Sequence, residues 1–125
     1  MKVLLSIKPE YAEKILDGSK KFEFRKGIFK NEKITTVVIY ATMPIGKIVG
    51  EFQVDSVLTG SPDAVWAETK KFAGITKEFF DMYYEGREKA FAIKIGSVDK
   101  FDAPLPLSAL GNNITPPQSY RYLLA

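Results

Sequence analysis

The stretch "DGSKKFEFRK", residues 17–26, sets Lys20, Glu23 and Arg25 close together around two phenylalanines. Lys and Arg bind phosphate, Arg through a planar fork and Lys as a point charge. A glutamate between them either orients the cations or accepts hydrogen bonds from the exocyclic amine of a cytosine or adenine. Were Lys20 partly buried near Arg25, its pKa would fall and its amine could serve as a base or nucleophile near neutral pH. Lys8, just after the first apolar run, is placed to add positive charge to the same rim. A plainer reading uses the same letters. "KFEFR" alternates strictly, so Phe22 and Phe24 share one face and Lys21, Glu23 and Arg25 the other, as on a half-buried strand with solvated charges. Ion pairs across such a strand contribute only about 0.2–1 kcal/mol each. Alternation would also put Lys20 on the phenylalanine side, so Lys20 belongs to the turn after Gly18.

Other residue types narrow the chemistry. Histidine and cysteine are both absent. That removes the usual general base, the usual triads, thiolate chemistry and the commonest zinc ligands. Lys, Glu, Asp, Tyr, Thr and Ser remain, and no acidic cluster has the spacing for magnesium, so neither metal nor cofactor is expected. Tyr40, Thr42 and Pro44 end a strong strand beside a break, where pocket walls often arise. Thr42 offers its hydroxyl to a ligand or to a local turn bond. Trp66, Phe72, Phe79, Phe80, Tyr83 and Tyr84 could stack bases, although their helical spacing reads first as core. Tyr83 and Tyr84 are adjacent and cannot both face inward, which leaves one available to a ligand. Ser119, Tyr120 and Arg121 either close over a pocket from the tail or simply pack there.

These groups must be positioned by the surrounding elements. "KVLLSI" (2–7) reads as a buried strand, and residues 9–17 as a short helix opened by Pro9 and ended by Gly18. "KFEFR" is the next strand, and "ITTVVIYAT" (34–42) is a further one rich in β-branched residues. Residues 46–60 form a long strand that Gly50 bends or bulges. Ser61 caps a helix opened by Pro62, and Thr76 to Tyr84 form another with an aromatic face. "KAFAIKIGSVDKF" (89–101) is a strand. The proline-rich tail is too apolar at Leu105, Leu107, Leu110 and "YRYLL" to float free, and reads as an extended segment wrapped on the body. Strands outnumber helices and do not alternate with crossover helices. The expected class is therefore α+β, a small barrel of about five to six strands with helices covering its openings. There is no glycine-rich phosphate loop.

At 125 residues, 46% of them apolar, the chain suits a single domain spanning residues 1–125. Residues 3–101 would form its core and 102–125 a packed extension. No run approaches the roughly 18–20 apolar residues of a membrane helix. The first residues break at Lys8-Pro9 without a cleavage site and read as a strand. A cytoplasmic location and no membrane partner are expected. The net charge of +3 is uneven: residues 1–33 hold nine Lys or Arg against five Asp or Glu, and the remainder nine against ten. A basic third on a near-neutral body fits a polyanion-binding face or a solvated surface equally well.

In "IKPEYAEKILDGSKKFEFR" the chain resembles the ASCH family (activating signal cointegrator homology) of the PUA-like superfamily. The resemblance rests on "SIKP", "YAEKILDG" and then Gly18, Lys20, Glu23 and Arg25 in a G-x-K-x-x-E-x-R pattern. "IYATMPIGKIVGEFQV" and "AFAIKI" look like the family's later blocks, and "PPQSYRYL" is similar to the tail of some longer members. The resemblance implies a PUA-like barrel and an RNA-related role in RNA metabolism or in transcription or translation control. It also implies two enzymatic possibilities: hydrolysis of the amide of acetylated cytidine nucleosides by a Lys, a Thr and a Glu, and RNA cleavage. Lys20 matches that lysine, Glu23 stands where the threonine would be, and Glu68 is the nearest candidate for the glutamate.

Three readings follow. The first is a module that takes RNA or a nucleotide at Lys8, Lys20, Glu23, Arg25, Tyr40, Thr42 and Ser119. The second is a metal-independent hydrolase or ribonuclease with Lys20 and Glu23 as its catalytic pair. The third is a protein-interaction or regulatory domain.

Overall fold

Apolar β-branched runs become strands, and short capped segments become helices, in the order read from the sequence. The computed structural model describes residues 1–123. In chain order the elements are β1 (Lys2–Ile7), α1 (Pro9–Leu16), β2 (Phe22–Arg25), β3 (Thr36–Ala41), β4 (Lys47–Gly60), α2 (Pro62–Thr69), α3 (Lys77–Tyr83), β5 (Ala90–Leu105) and β6 (Arg121–Leu123). Short 3-10 turns sit at Lys70–Phe72 and Leu107–Leu110.

All six strands join one sheet in the order β2-β5-β4-β3-β1-β6. β1 and β3 run parallel, and the other neighbours are antiparallel. A parallel pair needs a long connection, which α1 and β2 supply. β2 and β6 end the sheet without pairing to each other, so the expected barrel is an approximate one that does not close. β3, with Thr36, Val37, Val38 and Ile39 in sequence, is buried along its whole length. Gly50 lies where the β3–β4 and β4–β5 registers shift. A Cβ there would stand 2.6 Å from the Asp99 carbonyl and 2.8 Å from a Leu16 methyl, so only glycine lets β5 and α1 approach this closely.

The helices are too short to be stable by propensity and depend on caps and packing. Ser61 accepts from Ala64 N–H at 3.2 Å and Thr76 from Phe79 N–H at 3.1 Å. α1 buries Ala12 and Ile15 against Val3, Leu5, Ile39 and Phe52. α2 and α3 bury Val65, Phe80 and Tyr84 against Phe22, Phe24 and Ala92 of β2 and β5. Complete burial of Phe80 alone contributes about 1.5–3 kcal/mol.

β5 runs four residues beyond the expected Phe101, to Leu105. Beyond Leu105 the chain makes the 3-10 turn Leu107–Leu110 and then adds a strand that local pattern did not announce. β6 pairs antiparallel with Lys2–Leu4, using the edge that β1 leaves open. Leu124, part of the apolar "YRYLL" end, lies outside the described residues. Among the described residues no helix is long and apolar enough to cross a membrane.

Candidate functional site

Lys20 sits in the turn between α1 and β2. Its N–H donates to the Lys14 carbonyl at 3.0 Å, and the next N–H, of Lys21, donates to the Phe72 carbonyl at 2.9 Å. With the backbone held from both sides, the Lys20 side chain runs inward and is only 2% exposed. Nζ donates to the Ala73 carbonyl. It also lies 4.8 Å from the Phe24 ring centroid and 5.5 Å from that of Tyr11, so two π faces stabilise the charge. Burial pulls the amine pKa from 10.5 to about 8, with the Glu23 carboxylate opposing that fall and Lys14 adding to it.

Glu23 is buried rather than displayed on a solvated face. Its Oε2 lies 3.1 Å from Arg25 Nε, a charge contact in which the N–H is not aimed well enough to count as a hydrogen bond. The rest of the guanidinium is engaged by backbone: Nη2 donates to the Ser6 carbonyl at 2.9 Å and Nη1 to the Ser119 carbonyl at 3.5 Å. Arg25 thus bridges β2, the end of β1 that β6 leaves unpaired, and the tail. It positions the wall around Glu23, committing two of its five N–H donors to backbone carbonyls. Tyr84 O–H supports the same corner, donating to the Arg25 carbonyl at 2.9 Å and the Phe91 carbonyl at 3.3 Å.

These groups open onto a cavity of about 190 Å³, lined by Ser6, Ile7, Lys8, Tyr11, Lys20, Glu23, Phe24, Arg25, Ile75, Phe79 and Tyr83. Phe79 and Tyr83, one turn apart on α3, lie nearly parallel, with centroids 6.4 Å apart and planes 10° apart. Lys8 Nζ stands 5.7 Å from the Phe79 centroid and Lys26 Nζ 4.7 Å from that of Tyr83. Both lysines are exposed. The cavity is therefore lined by a buried amine and carboxylate, an aromatic wall and the solvated Lys8, and Lys26 stands against the Tyr83 ring of that wall.

Of the sequence-derived candidates, Lys8, Lys20, Glu23 and Arg25 come together here. Ser119 reaches the rim through its carbonyl. Tyr40 does not join them; it is buried with Leu4, Val38 and Ile48 in a separate cluster. Thr42 starts the turn after β3, its N–H donating to the Ile7 carbonyl at 3.0 Å, and it does not line the cavity. Glu68 is exposed on α2, away from Lys20. Tyr11 and Lys26 escaped the sequence reading of the site. Tyr11 shares the apolar helical spacing of Ile15 and passes for core, whereas Lys26 follows the strand with no pattern of its own. Among the described residues no group of three Asp or Glu could hold a metal ion.

The description "ASCH domain" belongs to the family model that matches residues 5–99. The large ribosomal subunit protein uL22 of Ureaplasma parvum serovar 3 is 31% identical over 121 residues, which are 97% of this chain. This chain spans only 39% of that relative's length. An ASCH domain-containing ribonuclease of Zymomonas mobilis subsp. mobilis is 29% identical over 123 residues, covering 96% of this chain and 82% of the relative. The crystal structure of ASCH from Zymomonas mobilis superposes with a TM-score of 0.91 at 28% identity, covering 98% of this chain and 87% of that one. With its family model spanning most of the sheet and its fold shared along nearly the whole chain, this protein belongs to the ASCH domain family.

Proposed function

We propose that the cleft takes one nucleotide of a single-stranded RNA. The carrying observation is the juxtaposition of the parallel Phe79 and Tyr83 rings, flanked by Lys8 and Lys26, with the buried Lys20 amine. A base stacks on the ring wall, the exposed lysines take the phosphates on either side, and Lys20 with Glu23 reads the polar edge. The ribonuclease name carried by the Zymomonas relative supports the RNA assignment. The test is anisotropy with labelled RNA oligonucleotides across a salt series. Phe79→Ala and Tyr83→Ala each weaken binding by about 1–3 kcal/mol, and affinity falls steeply with salt. Salt-independent affinity, or full affinity in both ring variants, would refute the assignment.

The amine pKa near 8 favours a second step at the same site, strand cleavage. A neutral Lys20 takes the proton of the 2′-hydroxyl, and the 2′-oxygen then forms a bond to phosphorus. The P–O5′ bond breaks, and the departing oxygen collects a proton from the Lys8 ammonium or from water. Lys20→Met removes the base with a slender side chain that the packed site can hold, so it should still bind RNA through the ring wall and exposed lysines while failing to produce a cyclic-phosphate end. Cleavage that survives this change, or turnover of an acetylated cytidine with no strand scission, rules the step out.

A further inference from the structure

Immediately behind the turn that holds Lys20, the surface is strongly basic and carries an unburied ring. We propose that this surface, formed by Lys21, Lys70, Lys71 and Lys94 around Phe72, binds the nucleotides that flank the one in the cleft. The proposal rests on the reading of the cleft as an RNA site. It makes that site longer than a single nucleotide.

The surface is a concavity of about 520 Å³, separate from the Lys20 cavity. All four lysines are exposed. Among the described residues Lys21, Lys70 and Lys71 make no ion pair, and Lys94 meets Asp55 only at 3.4 Å, with both side chains about half exposed. Such a pair is weak and exchanges readily for a phosphate. Glu68 is the carboxylate among the lining residues and Asp55 pairs with Lys94 beside them, so four positive charges meet two negative ones. Phe72 is 53% exposed, although Ala73 beside it is buried. An aromatic ring among solvated lysines matches how single strands are held, with cations on the backbone and rings under the bases. A duplex would hide its base faces from such a ring.

Continuity with the cleft is built into the backbone. Successive carbonyls of one turn serve both surfaces: Ala73 accepts from Lys20 Nζ in the cavity, and Phe72 accepts from Lys21 N–H at the basic face. A strand leaving the cleft across this turn therefore passes Phe72 and reaches Lys70 and Lys71.

The deciding measurement compares a dinucleotide with a twelve-nucleotide uridine RNA, by anisotropy over a salt series. The proteins are the full chain, the combined variant Lys21→Gln, Lys70→Gln, Lys71→Gln, and separately Phe72→Ala. Thermal melts confirm that each is folded. Neutralising three phosphate contacts should make the log–log salt slope for the long RNA shallower by about 2, at roughly 0.7 per contact for single strands. The same variant should lose at least about tenfold in affinity for the long RNA near physiological salt and hold its dinucleotide affinity within about twofold. Phe72→Ala should weaken the long RNA alone. An unchanged slope in the combined variant overturns this inference and leaves the cleft reading standing, as does a wild-type protein that binds both lengths equally. Equal losses at both lengths also overturn it, because the variants then act through the cleft. Failure of the wild-type protein to bind either RNA overturns both readings. An acidic twelve-residue peptide that competes as well as the long RNA assigns the surface to a protein partner instead.

Discussion

Substituting Gly74 tests whether the Lys20 side chain is held as tightly as the structure indicates. Gly74 has φ +70°, and a Cβ built on it would stand 2.7, 2.6 and 2.8 Å from Cβ, Cγ and Cδ of Lys20. Gly86 has nearly the same backbone, φ +77°, with nothing within 4 Å of the added atom. Gly86→Ala therefore measures the left-handed backbone alone, about 1–2 kcal/mol. Gly74→Ala carries the same cost plus a collision with a stem that cannot swing away. The stem is tied at its root by the Lys20 N–H bond to Lys14 and at its tip by the Nζ bond to Ala73. Relief requires overpacking strain of about 1–3 kcal/mol or loss of the buried charged hydrogen bond at about 1.5–3 kcal/mol. Gly74→Ala should thus be destabilised by about 2–5 kcal/mol, exceeding Gly86→Ala by about 1–3 kcal/mol. Urea unfolding with linear extrapolation resolves that difference if the slopes agree. RNA affinity should fall with Gly74→Ala and stay unchanged with Gly86→Ala. Equal destabilisation of the two variants would show that Lys20 is free to move, and the account of its depressed pKa would go with it.

Two further outcomes follow from the same groups. The folded pKa of Lys20 lies below its unfolded value, so between about pH 8 and 10 the unfolded chain binds more protons and stability rises with pH; the gain from this group approaches about 3 kcal/mol at most, and Lys20→Met should abolish the rise in pH-dependent melts. Tyr84→Phe leaves the Arg25 and Phe91 carbonyls without their shared donor and should cost about 1–3 kcal/mol in urea unfolding, with little change in RNA affinity because Tyr84 does not line the cavity.

Much of the fold could be read locally because each element carries its own signal. Strict alternation marks β2, the β-branched run marks β3, and Ser61-Pro62 and Thr76 open the helices where their side chains accept the cap bonds. β6 escaped because three residues carry no period, and its existence depends on an edge of β1 more than a hundred residues away. The site was half legible for a related reason. Lys20, Glu23 and Arg25 are neighbours in sequence, so a turn and a strand suffice to gather them. Tyr40 and Thr42 were grouped with them because strand ends often wall a pocket. Yet Tyr40, beside the cavity-lining Ser6 in the parallel pair, packs on the opposite face of the sheet, with Leu107 and Leu110. No local pattern tells which face of a strand meets the helix that closes a cavity.

The central physical feature is that β2 is buried on both faces although its sequence is half charged. Phe22 and Phe24 enter the core beneath α2 and α3, and Glu23 on the opposite face is equally enclosed. On an exposed edge strand, alternating charges would face water and resist further pairing. Here the unclosed end of the sheet brings β2 to the free backbone of β1, where Arg25 takes the Ser6 carbonyl that a sixth strand pairing would otherwise satisfy. The gap that keeps the barrel open is therefore the cavity itself, lined by a guanidinium and an amine. Burying Lys20 and Glu23 together costs desolvation that two well-packed apolar side chains would avoid. That cost falls where β2, helix α3 and the tail converge, so it gathers an amine, a carboxylate and an aromatic wall around the cavity.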